Sequence, residues 1–249
     1  ERFRDIAQFE RGPGVPQIGR FGSPPRLKDL DTLTVPSEDV ASLARCRPGQ
    51  CDLKLSAAVI RRFEREVNWS SPDAGARANA LIRQMIFDLV SAYQAEGNAA
   101  LGRYDDGAVS LPVADAFRAV LASRDRLPVP VPALLAYLND YPKGRPPGTE
   151  DFFYWTVVDF GLKRTIRVNH VAIYPLPPSD ATGVAYVIAI KQLYASHYFH
   201  TTLELRFLAD DDRRPDEPGM LLVSVTRSRN DGMTGFKGLF LRPVISRRS

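Results

Sequence analysis

The chain has three histidines, His170, His197 and His200, all in its second half. Three imidazoles with an open position suit a catalytic zinc. The spacing argues against that use: His197 and His200 are three apart, and an extended strand sends such residues to opposite faces. Only a bend at Tyr194–Tyr198 would bring them together, so no metal and no cofactor is expected. Around them, Gln192, Tyr194, Ser196, His197, Tyr198 and His200 make a polar and aromatic group beside the apolar run Val184–Ile190. A pocket places its orienting groups in such a position. As an enzyme, the chain would use His197 as general base and Tyr194 or Tyr198 as acid. Ser196 does not make a dyad with His197, because neighbouring side chains on a strand diverge. A hydrogen-bonded turn between strands accounts for the same residues, and no catalytic residue is assigned.

Arg227 and Arg229 share a face at period two and could grip a carboxylate or phosphate, with pairing to Glu204 or Asp231 as the simpler alternative. Asp105-Asp106-Gly107 begins like a calcium loop but lacks the later ligands, so it reads as a turn. Asp210-Asp211-Asp212 reads as a solvated loop. The only two cysteines are Cys46 and Cys51, on either side of Pro48-Gly49. A Pro-Gly turn can bring such ends together, so a Cys46–Cys51 disulfide is expected, with two buried thiols as the alternative.

These residues must be carried by three segments. Residues 1–36 are rich in Gly, Pro and Arg and show no sustained period; they read as an extended arm anchored through Ile18, Phe21, Leu27, Leu30 and Leu33 on the body or on a neighbouring subunit. Residues 37–161 read as helical. Ser37 and Ser56 each cap a helix, and Ser71-Pro72-Asp73 opens the strongest one, with Ala78, Leu81, Ile82, Met85, Ile86, Leu89 and Tyr93 on its apolar face and Gly97 at its end. Shorter helices are expected at 113–123, 132–140 and 150–160. The last carries Phe152, Phe153, Tyr154 and Trp155, of which Phe152 and Trp155 are candidates to line a pocket. From Gly161 the period changes to two. Strands are expected at 166–174, 184–193, 199–207 and 220–226, and a short closing helix at 232–241 is limited by Pro243. Consecutive strands with short connections make an antiparallel meander. The fold class is α+β: an N-terminal helical layer packed on a C-terminal antiparallel sheet of about four or more strands, residues 162–249, with 37–249 as one compact unit.

Several strings resemble a family of uncharacterised, exported bacterial proteins: Cys46-Arg-Pro-Gly-Gln-Cys51 with Lys54-Leu55, Asp151-Phe-Phe-Tyr-Trp155 with Phe160-Gly-Leu-Lys163, His170-Val-Ala-Ile-Tyr174, and Lys191-Gln-Leu-Tyr-Ala-Ser-His-Tyr-Phe199. That resemblance covers most of the chain after the arm and brings no known activity. A sheet followed by a C-terminal helix is also similar to the START or Bet v 1 helix-grip class, which implies a cavity for a lipid, sterol or polyketide. The chain departs from that class in its smaller number of clear strands, its short closing helix and its long helical segment before the sheet.

The 249 residues carry a net charge of +4, and the excess is uneven. Residues 213–249 hold eight Lys or Arg against three acids, which would favour peripheral contact with acidic head groups or a partner's acidic face. No nucleic-acid-binding motif is visible. No apolar run reaches the roughly 18 residues of a membrane helix. The chain begins at Glu1, which fits a removed signal peptide and equally a start that is not the mature N-terminus; with the disulfide, an extracytoplasmic place is expected.

These readings converge on non-catalytic binding of a hydrophobic or amphipathic, lipid-like small molecule between sheet and helices. Phe152, Trp155, Gln192, Tyr194, Tyr198, Arg227 and Arg229 are the candidate ligand contacts. A structural or accessory subunit of an extracytoplasmic assembly, held to its partner by the arm, is the alternative; a hydrolase or cyclase using His197 with Tyr194 or Tyr198 is the third.

Overall fold

The computed structural model describes residues 17–122, 127–159, 163–176, 183–211 and 219–230. The expected short helix at 232–241, the expected basic C-terminus beyond Asn230 and the side chains of Asp210–Asp212 lie outside the described residues.

The architecture is α+β, as the change of period implies, with helices packed on one antiparallel sheet. The strands β4 (Glu150–Asp159), β5 (Arg164–Pro175), β6 (Val184–Ala195), β7 (Phe199–Asp211) and β8 (Gly219–Asn230) follow one another as a meander. The short β1 (Gln17–Arg20) pairs with the free side of β4, making six strands in the order β1-β4-β5-β6-β7-β8. A separate two-residue pair, β2 (Arg103–Tyr104) with β3 (Leu111–Pro112), forms a small hairpin. The turn between them holds Asp105-Asp106-Gly107.

One expectation is corrected. The segment expected as a helix at 150–160 is strand β4, paired along its length with β5 from Glu150↔Ile173 to Asp159↔Arg164. Phe153, Trp155 and Val157 point to the helical side and Phe152, Tyr154 and Thr156 to the other, and all six are buried. A strand buried on both faces shows no polar alternation, and its run of bulky residues imitates a buried helix. Of the expected arm, the described residues 17–36 lie on the body, with Gln17–Arg20 as a strand and Leu27–Leu30 as a 3₁₀ turn. Phe21, Leu30 and Leu33 are buried in the main core, whereas Leu27 is exposed.

Helices α1 (Ser37–Leu43), α2 (Ala57–Glu66), α3 (Ala74–Glu96), α4 (Val113–Leu121) and α5 (Pro132–Asp140) cover one face of the sheet. The Ser56 hydroxyl accepts from the Val59 amide at 3.3 Å and starts α2. Helix α3 stops at Gly97, whose φ of 63° and close approach to Tyr141 leave no room for a side chain: a Cβ there would lie 1.7 Å from the Tyr141 carbonyl oxygen. The apolar residues of α3 divide into two stripes. Ala78, Ile82, Ile86, Val90 and Tyr93 are fully buried against the sheet, where each large side chain contributes about 1.5–3 kcal/mol. Leu81, Met85, Leu89 and Ala92 are only half-buried and face a groove. Among the described residues, no helix is long and apolar enough to cross a membrane.

Candidate functional site

The groove lies between α2 and α3. Its walls come from Val59 and Phe63 on α2 and from Leu81, Met85, Leu89 and Ala92 on α3, closed at one end by Ala100 and Leu101. The sheet contributes Tyr194, which is 4% exposed. The cavity measures about 320 Å³. Burial pushes the Tyr194 phenol well above its ordinary pKa, so it stays a neutral donor, and among the described residues its hydroxyl has no hydrogen-bond partner. Tyr194 reaches the helical side because the β5–β6 register shifts by one residue between Val168 and Asn169.

A second cleft of about 420 Å³ opens beside the first and is polar: Asp106, Ser110, Asp115, His200 and Arg229 line it. Lys54 and Tyr104 line both cavities and form the wall between them. Lys54 is 2% exposed, with its ammonium 3.5 Å from Asp106 Oδ2 and 5.5 Å from the Tyr104 ring centre. The Tyr104 ring meets Tyr194 edge-on at 6.3 Å.

The disulfide braces this wall. Cys46 and Cys51 are bonded, as the Pro-Gly turn between them implies. From their loop, the Gly49 amide donates to the Asp105 carbonyl at 2.7 Å and the Cys51 amide to the Asp106 carbonyl at 2.9 Å. The Asp105 carboxylate in turn accepts from the Ala57 amide at 2.8 Å, tying the turn to the first residue of α2.

The other residues singled out in the sequence are dispersed. Phe152 lies on the far face of the sheet with the Arg20 guanidinium 4.2 Å above its ring. Trp155 is fully buried on the helical face and donates to the Asp29 carbonyl at 3.0 Å. Gln192 is also on the far face, accepting from Arg167 Nε at 3.2 Å, so it makes no row with Tyr194. Tyr198 sits in the β6–β7 turn with φ 59°, and its hydroxyl accepts from the Lys163 amide at 2.8 Å. Arg227 is buried opposite Leu203, while Arg229 lines the polar cleft.

The histidines take three separate places. His200 lines the polar cleft. His197 has Nε2 2.8 Å from Asp39 Oδ1 and Nδ1 3.0 Å from the Asp52 carbonyl oxygen, so neither ring nitrogen is free to act as a base. His170 is fully buried among Tyr93, Tyr137, Tyr141 and Phe153. No group of three His, Cys, Asp or Glu among the described residues could hold a metal ion.

One buried cluster escaped the sequence reading. Lys191, in the middle of β6, is 0% exposed. Its Nζ donates to Tyr93 OH at 3.0 Å, to the Leu138 carbonyl at 3.0 Å and to Asn98 Oδ1. It also lies 3.9 Å from the Phe117 ring centre. Tyr93 OH stands 3.3 Å from His170 Nδ1, and His170 Nε2 stands 3.8 Å from Asp151, which also accepts from Tyr137. The available signal was a lysine inside the apolar run of β6, at a position whose neighbours two residues away face the helices.

Compared with family models, with characterised proteins and with solved structures, the chain matches none.

Proposed function

We propose that the protein binds an amphipathic, lipid-like small molecule without transforming it, outside the cytoplasm. One observation carries the reading: an apolar groove and a polar cleft meet at a shared wall, Lys54 and Tyr104. A molecule with an apolar part and a charged or polar end fills both. The apolar part lies along Met85 and Leu89 over Tyr194, whose unpartnered hydroxyl offers a donor at the floor. The polar end meets Lys54, Arg229 and His200 on one side and Asp106 and Asp115 on the other. The reading keeps the ligand class implied by the helix-grip resemblance but sets it between α2 and α3. The disulfide supports an oxidising compartment.

The test is binding of a fluorescent fatty-acid analogue and of a lysophospholipid to the purified full chain. Met85→Glu and Leu89→Glu each place an unpaired charge on the groove wall, at half-buried positions that tolerate substitution better than the core. The expected outcome is saturable binding that each variant weakens by about tenfold or more, equivalent to about 1.4 kcal/mol. Absence of binding, or binding indifferent to both variants, removes the proposal.

A second reading, a subunit of an extracytoplasmic assembly, is favoured by β8. Among the described residues this strand ends the six-stranded sheet, and its Met220, Leu221, Leu222 and Val223 are exposed in succession. A long apolar edge strand is a template for pairing with another chain. Light scattering that gives a monomer at all concentrations counts against it.

A further inference from the structure

Lys191 is a puzzle as an ordinary lysine. It is fully buried at the centre of the sheet, and among the described residues no carboxylate pairs with it; its partners are a phenol, a backbone carbonyl and the Asn98 side-chain amide. Burying an ammonium without a counter-ion is costly, and the usual resolution is that the group gives up its charge. The three contacts take up all three hydrogens of an ammonium; burial drives the Lys191 pKa well below the ordinary lysine value, so one of those hydrogens is given up and an uncharged amine with a free lone pair becomes available. An uncharged amine in an apolar, aromatic cage is a nucleophile.

The electrophile is already in contact. Lys191 Nζ is hydrogen-bonded to Asn98 Oδ1. A carbonyl carbon lies only about 1.23 Å beyond its oxygen, so Asn98 Cγ is within reach of Nζ. The amide is anchored from its other end, since Asn98 Nδ2 donates to the carbonyl oxygens of Leu138 and Asn139. Phe117 and Tyr93 screen the pair with their rings at 3.9 and 4.9 Å from Nζ.

We propose that Lys191 and Asn98 form an intramolecular isopeptide bond that covalently joins strand β6 to the 3₁₀ turn Gly97–Leu101 that follows helix α3. The Nζ lone pair adds to Cγ and the carbonyl π pair moves onto Oδ1. Nζ gives up one proton to the Tyr93 oxygen while the Tyr93 hydroxyl proton passes to His170 Nδ1, along contacts of 3.0 and 3.3 Å. The tetrahedral centre then collapses, restoring the carbonyl and breaking Cγ–Nδ2. Nδ2 takes up the proton that Nζ released and leaves as ammonia. One amide and one amine become one amide and ammonia, with no change of oxidation state and no co-reactant. The product is an amide that cannot take up a proton again, which explains why a lysine with only neutral partners is tolerated there. Tyr93 and His170 act here as proton carriers.

The experiment is intact-mass measurement of the natively folded full chain after reduction of the disulfide, followed by fragmentation of its proteolytic peptides. The expected result is a mass lower than the sequence mass by one ammonia, together with a branched peptide joining Lys191 to Asn98. Chain that has never folded, made by chemical synthesis and kept in denaturant, retains the full mass, because the bond needs the folded cage. Asn98→Ala also keeps the full mass whether or not it folds, which ties the loss to that amide. A folded wild-type chain at full sequence mass overturns the proposal. So does a loss of ammonia that maps to any other residue, such as a cyclised asparagine. The measurement is independent of ligand binding, so the isopeptide and the amphiphile site stand or fall separately.

Discussion

At the scale of single residues, His197 shows how little a residue type says about its use. Its two ring nitrogens stand against the Asp39 carboxylate and the Asp52 carbonyl, so both are engaged in hydrogen bonds. The imidazole therefore clamps α1, the segment after the disulfide and the β6–β7 turn together. Asp39 is 1% exposed and its second oxygen, Oδ2, has no hydrogen-bond partner among the described residues, so the pair depends on itself. Removing one member of a buried, hydrogen-bonded pair leaves the other's polar group stranded, and where the pair is ionic the cost is about 3–5 kcal/mol. Asp39→Ala is expected to lower the free energy of unfolding by that amount in urea titrations, with the slope of the transition unchanged. A loss below about 1 kcal/mol, the range of exposed pairs, means that the clamp is not an ionic one. The sequence shows His197 beside tyrosines and a serine, which is why it reads as a candidate base. The partner that decides its role is 158 residues away and leaves no local trace.

Among the elements, the sheet from β5 to β8 is readable because its strands alternate or are β-branched and are bounded by turn residues. Helices α2 and α3 are readable from their caps and period. Strand β4 is not, because both of its faces are covered and Glu150–Asp159 carries no polar alternation to count. Strand β1 is hidden for a different reason: four residues give too few repeats for a period, and its place is set by Trp155, over 130 positions along the chain. The candidate site was legible only in part. Tyr194, His200 and Arg229 stand out in the sequence, whereas Tyr104 sits in no motif and Lys54 appears only in a string of resemblance; the importance of these two lies in lining two cavities at once. The second stripe of α3 was visible as a wide apolar face, without the distinction between buried and groove-lining members. The β1 docking can be tested at Gly19, where a Cβ would lie 2.5 Å from the Trp155 ring. Trp155 is fully buried and held by its bond to the Asp29 carbonyl, so it has little freedom to move aside. Gly19→Ala is expected to cost about 1–3 kcal/mol, as overpacking does, and to alter the tryptophan emission of the folded state. A variant as stable as the parent, with unchanged emission, means that β1 does not pack over that ring.

For the whole molecule, the connection between helices and sheet runs through His170. The ring belongs to β5 and touches Tyr93 of α3, Tyr137 of α5, Tyr141 just after it, and Phe153 of β4. The charged or titratable groups facing it are Asp151, Lys191, Arg145 and those three tyrosines. Burial raises all three phenols, that of Tyr141 to about 12, so they remain protonated at any ordinary pH. Burial is also the main influence on His170 and lowers its pKa from the ordinary 6.5, against the opposing pull of Asp151. The sign follows from proton counting. Below pH 6.5 the unfolded chain takes up a proton that the folded chain still refuses, so acid favours unfolding in the window from 6.5 down to the folded pKa. Above 6.5 both states are neutral at this site and it contributes no pH dependence. Within the window the slope approaches about 1.4 kcal/mol per pH unit for one such group. Asp52, Asp73, Asp105 and Asp151 have pKa values lowered from 3.8 and act in a separate, more acid window. His170→Asn keeps a polar side chain of similar reach but cannot titrate. Urea unfolding between pH 7.5 and about 4.5 is therefore expected to show stability falling below pH 6.5 in the parent and a shallower fall in the variant, once each curve is referred to its own value at pH 7.5. Two parallel curves would place the acid sensitivity in the carboxylates instead. Because the ring joins helices to sheet, tryptophan emission, dominated by sheet-bound Trp155 and α2-flanking Trp69, and far-ultraviolet circular dichroism should report the same midpoint at each pH.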